Sequence, residues 1–269
     1  EQAIPLAVVP NAVRLLRGFD GKRGMLRVER DGDVRFRPAY PHEAGIPREK
    51  SVVSVRLPAA RIGSRLSYRL ADVDRYFASF VGGKAANLGE MMRSGIPVPE
   101  GFALSFAFWK KFADHNNIAG KIAPLIEGLS EAGKLLVSDE ELRRRLAAIK
   151  EVVLAGEFTD ELRREILSQA EELRSRYGHV GFYVRSSFNF EDLTEKTMAG
   201  HYESYPNRAF PDTSSDEQLL EAVKLVFASM WNELAYTARV AEKISDERVM
   251  PAVVIQVPLK SSASGTMYT

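Results

Sequence analysis

Apolar and polar residues alternate in two different rhythms along this chain. Between Gly24 and Pro38 the segment GMLRVERDGDVRFRP sets apolar against charged residues on both sides of Asp31-Gly32-Asp33. That spacing suits strands, and Asp-Gly supplies the positive φ that a tight turn needs, so a β-hairpin is predicted here. Pro38, Pro41, Pro47 and Pro58 then exclude a long helix and predict an extended connection ending near Ser67. From Tyr68 onward the spacing becomes that of longer helices separated by short apolar strands. The expected organisation is a β-rich basic segment over residues 1–66 and a mixed domain over residues 67–269.

Three helices of the second part announce their own starts. Ser138 and Glu141 stand in capping-box spacing ahead of Leu142, Leu146, Ile149 and Val153. Thr159 can cap a second helix, with Leu162, Ile166, Leu173 and Tyr177 on its buried side and Gly178 at its end. A third begins near Ser215, with Gln218 in the capping-box position, and sends Leu219, Val223, Phe227, Met230 and Leu234 to the core. Trp231 and Met230 read as core packing rather than a platform for a ligand. Gly181–Phe188 and Ala252–Leu259 are short and rich in β-branched or aromatic residues, and are predicted strands. With no internal repeat or low-complexity tract, the expected class is α/β (α+β), with polar motifs at strand ends and loops.

Composition narrows the chemistry. At 269 residues and 45% apolar content the chain can bury a sizeable core. No apolar run approaches the roughly 18 residues of a membrane span, and the N-terminus lacks a signal-peptide pattern. The absence of cysteine excludes disulfides, thiol nucleophiles and thiolate metal sites, and fits a reducing, cytoplasmic setting. Glu1 in place of an initiator Met points to a fragment or a processed product. The net charge of +1 hides an asymmetry: residues 1–66 hold 13 Lys/Arg against 7 Asp/Glu, and the rest 24 against 29. Because the N-terminal arginines are interleaved with acids, a solvated face or a domain contact is the plain reading, and a nucleic-acid-binding module the weaker one.

Two motifs can carry chemistry. In Val81-Gly82-Gly83-Lys84-Ala85-Ala86-Asn87-Leu88-Gly89-Glu90, paired glycines let a ligand approach the backbone closely. The helix start that follows offers N–H groups, and Lys84 adds a mobile charge, a combination that suits phosphate. Gly-Gly before a helix is also a common plain turn, and the pattern is neither a Walker loop nor a dinucleotide fingerprint. In Val184-Arg185-Ser186-Ser187, followed by Glu191-Asp192 and Met198-Ala199-Gly200, an arginine leaving an apolar strand offers a planar fork of donors to phosphate. The alternative is a structural ion pair of Arg185 with Glu191 or Asp192.

The order of GGKAANLGEM, GIPVPEGFALS, VRSSFNFEDL, AGHYES, FASMWNELA, VVIQVPL and SGTMYT resembles the pyruvate- and ATP-binding domain of phosphoenolpyruvate synthases. The same domain occurs in pyruvate phosphate dikinase, rifamycin phosphotransferase and the glucan water dikinases, and the resemblance covers about residues 67–269. It implies an ATP-grasp-like fold, truncated here, that clamps ATP and Mg2+ and passes a phosphoryl group to a histidine on a separate domain. That histidine would serve an acceptor such as pyruvate. By position, Gly83, Lys84 and Arg185 would hold ATP, with Lys84 and Arg185 catalytic on its phosphates. Gly200 would lie in the covering loop, and Gln256 near the adenine. The 15-residue step from Arg185 to Gly200 is similar to the synthase and rifamycin branch. The family's magnesium ligands are expected beyond Thr269.

Phe188 stands where the family usually has a small residue, and His201 where it has a glutamine. Both departures are expected beside the phosphate loop, and both would suit a second reading, a non-catalytic nucleotide-binding or regulatory module. His42, His115 and His179 read as structural or solvated, and no cluster has metal-ligand spacing.

Overall fold

The computed structural model describes residues 24–28, 34–38, 59–178, 180–190, 192–193, 196–197, 202–207 and 210–259. The chain divides into two units, Val53–Lys260 and Glu1–Val52 with Ser261–Thr269. In the latter, β1 (Gly24–Val28) and β2 (Val34–Pro38) pair antiparallel with Val28 opposite Val34, as the alternation predicted. The turn between them and the proline-rich stretch lie outside the described residues.

The larger unit is built on a five-stranded antiparallel sheet. Its strands are β3 (Ser67–Arg69), β4 (Gly101–Leu104), β7 (Tyr183–Ser186), β10 (Ser204–Tyr205) and β11 (Val253–Gln256), in the order β10-β7-β11-β4-β3. Two small hairpins, β5–β6 (Ser130–Glu131 with Lys134–Leu135) and β8–β9 (Asp192–Leu193 with Lys196–Thr197), stand apart from it. Register decides what each face carries, because side chains opposite one another share a face. Phe102, Leu104, Val184, Val253 and Ile255 point into the main core. Ala103 and Val254 point the other way, into a smaller cluster with Val81 and Ala85.

The second face is covered by α1 (Ala78–Arg93). On the first side the main core is shared by α2 (Phe106–His115), α3 (Ile118–Ile126), α4 (Asp139–Leu154), α5 (Asp160–Tyr177), α6 (Asp216–Ala228) and α7 (Glu233–Ala241). Trp109 meets Phe227 edge-on at 4.9 Å between ring centres, and Phe112 lies 5.1 Å from Phe158, geometry that adds about 1 kcal/mol per pair to plain burial.

The capped helices form where expected, with three differences. Ser215 and Gln218 close a full capping box on α6, whereas on α4 Ser138 accepts from the Glu141 N–H but the Glu141 carboxylate turns to Arg144 and Arg145. Two nearby guanidiniums outbid one backbone donor. Tyr177, predicted inward, ends α5 exposed. Leu234 is also exposed, because α6 stops at Ala228, a 3-10 turn follows through Trp231, and extended backbone at Asn232 starts α7 in a new direction. Trp231 itself is core.

Hydrogen bonds from Arg144 and then Arg145 hold the Glu141 carboxyl down at about 2, against an ordinary 4.5. A depressed carboxyl stabilises the fold above the unfolded value and ceases to do so as pH falls through the folded one. Thermal melts between pH 5 and 2 are therefore expected to include an acid-dependent loss that Glu141→Gln makes shallower, and an unchanged slope in that variant would contradict the assignment.

Candidate functional site

Strand alternation places the polar residues of β7 and β11 together. Arg185 lies opposite Val254, and Gln256 opposite Tyr183, so all four occupy the α1 face, away from the main core. There they border a cleft of about 440 Å³ whose lining includes Leu88 of α1, Ser204, Pro99, Val257 and Leu259. Gln256 is buried, and its Nε2 donates to the Pro99 carbonyl at 3.0 Å, which fixes the amide plane at the cleft wall.

The glycine motif meets the end of β7 directly. Gly82 adopts φ 78°, ψ 167° inside α1 and breaks the helical path, which resumes at Gly83. A Cβ on Gly82 would lie 1.7 Å from the Ser187 carbonyl oxygen, so both the torsion and the contact require glycine. Gly82 thus brings α1 against protein backbone, where the sequence suggested an approach to ligand. The helix also starts earlier than expected, at Ala78. Ser187 Oγ accepts from the Ala85 N–H at 2.9 Å and donates to the Val81 carbonyl at 2.8 Å. Lys84 reaches the same strand end, where Nζ donates to the Ser186 carbonyl at 2.7 Å, one residue from Arg185.

The electrostatics of Arg185 differ from those of Arg174 and Arg239, which are buried among the described residues. Arg174 pairs with Asp216 at 2.6 Å, and Arg239 with Asp246 at 2.9 Å. Arg185 is half-buried on the cleft, and among the described residues no carboxylate or carbonyl accepts from it. The side chains of Glu191 and Asp192 lie outside the described residues. On the opposite face of β10, burial and then the Glu203 charge push the Tyr205 hydroxyl up to about 12, so it stays neutral. A half-buried cation of this kind favours an anionic ligand.

The remaining expectations divide cleanly. Gly83 is half-buried at the resumption of α1. Gly200, His201, His42 and His179 lie outside the described residues, and His115 is exposed at the end of α2. Phe188 does not face the cleft: it is buried in the main core, with its ring edge-on to Tyr202 at 4.6 Å. Among the described residues no group of three or more His, Asp or Glu side chains is placed to hold a metal ion. No described helix is long and apolar enough to cross a membrane.

Comparison with known proteins agrees with the motif order. The family described as "Pyruvate phosphate dikinase, AMP/ATP-binding domain" matches residues 78–269. The chain belongs to this family. Among its relatives, the phosphoenolpyruvate synthase of Aeropyrum pernix is 33% identical over 207 residues, covering 76% of this chain and 24% of that protein. The probable phosphoenolpyruvate synthase of Archaeoglobus fulgidus is 34% identical over 202 residues, 74% of this chain and 25% of its own length. The phosphoenolpyruvate synthase of Aquifex aeolicus is 32% identical over 196 residues, 70% and 22%. The chain thus spans about a quarter of the length of these curated relatives.

Ser187 joins α1 to the end of β7, a role the sequence did not reveal. It stood in the arginine motif without a role of its own, because its partners lie 102 and 106 positions away. Gly82→Ala is expected to cost about 3 kcal/mol or more, since it combines a glycine-only torsion with a backbone clash. Gly95→Ala, at φ 78° but facing open space, should cost only about 1–2 kcal/mol. Chemical denaturation of both variants measures the difference, and equal costs would contradict the close-packed kink.

Proposed function

We propose that this chain is the ATP-binding part of a phosphotransferase resembling phosphoenolpyruvate synthase. The observation that carries the reading is the meeting of two cationic motifs, with Lys84 bonded to the Ser186 carbonyl beside an Arg185 that no described acceptor satisfies. Arg185 supplies a planar fork for two phosphate oxygens, Lys84 a point charge, and the resumed helix at Gly83 the positive end of a dipole. Phosphoryl transfer demands positioned positive charge more than covalent help from the protein, and this arrangement provides such charge.

The rest of the cleft suits the remainder of a nucleotide. Leu88, Val257 and Leu259 offer apolar walls for a flat base, and Gln256, with its amide nitrogen committed to Pro99, keeps a carbonyl oxygen to accept from an exocyclic amine. Gly200 would then belong to a loop over the phosphates, and residues 67–269 would form the ATP-grasp-like domain beside a separate segment, 1–66. The described residues supply no magnesium ligand cluster, so Mg2+ would be held by groups outside them. The acceptor histidine would lie on another domain, as the length of the relatives allows, with pyruvate as a final acceptor. The burial of Phe188 in the main core weighs against the non-catalytic alternative, because its bulk is spent on packing with Tyr202 and not on the cleft.

Titration calorimetry with ATP and Mg2+ tests the reading. Lys84→Ala and Arg185→Ala are each expected to weaken binding by about tenfold or more, the size of a lost charge-assisted hydrogen bond. Arg163→Ala, whose guanidinium pairs with Glu217 on the surface, should leave it unchanged. Affinities within about twofold of the parent for both site variants would contradict the proposal.

A further inference from the structure

In a regular helix the Ala85 N–H would donate to the Val81 carbonyl four residues back. Here the helical path breaks at Gly82, and the Ser187 hydroxyl bridges the two groups, accepting from Ala85 at 2.9 Å and donating to Val81 at 2.8 Å. A side chain inserted into the ladder is a recognised cause of helix kinking. The residues enclosed by the opened turn are Gly82, Gly83 and Lys84, the motif itself. Ser187 is fully buried and its own N–H donates to the Ala252 carbonyl at 2.9 Å, so the hydroxyl is fixed relative to the sheet.

We infer that Ser187 is a positioning residue for the proposed nucleotide site, holding the turn open so that Lys84 projects to the end of β7 beside Arg185. It acts through Lys84 and touches no substrate. Without the hydroxyl, the Ala85 N–H and Val81 carbonyl can recover their direct bond, which winds Gly82–Lys84 back into helix and draws the ammonium off the Ser186 carbonyl. A hydroxyl that served only to satisfy two buried polar atoms would affect stability without regard to Lys84.

The inference rests on the nucleotide reading, and a double-mutant cycle separates the two. Ser187→Ala and Ser187→Cys are made in the parent and in Lys84→Ala, with thermal melts to verify folding; the cysteine fills the space but is a poor bridge. ATP affinity with Mg2+ is expected to fall about tenfold in either Ser187 variant of the parent, and to change less than about twofold when Lys84 is already alanine. Hydrogen exchange of the Gly82–Ala85 amides should change in the same variants while α4 is unaffected.

If Lys84→Ala weakens ATP binding but the Ser187 variants do not, or if the two effects simply add, the positioning role is overturned. If neither serine variant folds, the hydroxyl is a stability element and the inference is likewise overturned. If Lys84→Ala leaves ATP binding unchanged, the nucleotide reading fails. The exchange data then decide alone whether Ser187 holds the turn, and unaltered exchange at Gly82–Ala85 would reject it.

Discussion

The contact between the kink of α1 and the end of β7 is the constraint on which the rest of the site depends. Gly82 admits the Ser187 backbone, and the Ser187 hydroxyl occupies the gap in the helical ladder. Each needs the other, since a residue with a Cβ could not approach and an unbridged kink would leave two buried backbone groups unpaired. Through this contact two segments about 100 positions apart in sequence become one surface, and the cations of both reach the same strand end.

The sheet supplies the rigidity behind that surface. Its antiparallel register sends alternate side chains of β7 and β11 to opposite faces, so Val184, Val253 and Ile255 anchor the strands in the core. Arg185 and Gln256 stand on the other face. A site on strands anchored in this way is held more firmly than one on a loop, which suits chemistry that relies on placement. Among the described residues, two buried arginines illustrate the alternative use of the same side chain. Arg174 and Arg239 are tied to carboxylates and to backbone carbonyls, and Arg239 also lies over the Trp231 and Tyr236 rings. These are internal braces.

What was legible in the sequence was local. Serine and threonine caps announced the starts of α4, α5 and α6 because the bonds they make span three residues. Alternation gave the hairpin of the smaller unit, and short runs of β-branched and aromatic residues gave the cores of β7 and β11. Family resemblance brought Lys84 and Arg185 into one expectation, and the structure sets them at one strand end. Errors arose where a competing partner or a change in chain direction overrode the expected pattern. Glu141 left its cap for two arginines, and Leu234 lost its place on the buried stripe once the chain turned at Asn232. The packing of Gly82 stayed hidden because nothing near it in sequence reveals Ser187. Phe188 looked like a change at the phosphate loop, yet two residues past the strand end its ring packs in the core.

The central claim is that Lys84 stands beside the phosphates of a bound nucleotide. An acyl-phosphate derivative of ATP, which transfers its acyl group to a neighbouring lysine amine, followed by peptide mapping, tests it most directly. The account predicts acylation at Lys84 that unmodified ATP suppresses. Label confined to surface lysines such as Lys110 and Lys111, or label at Lys84 that ATP does not reduce, would contradict it.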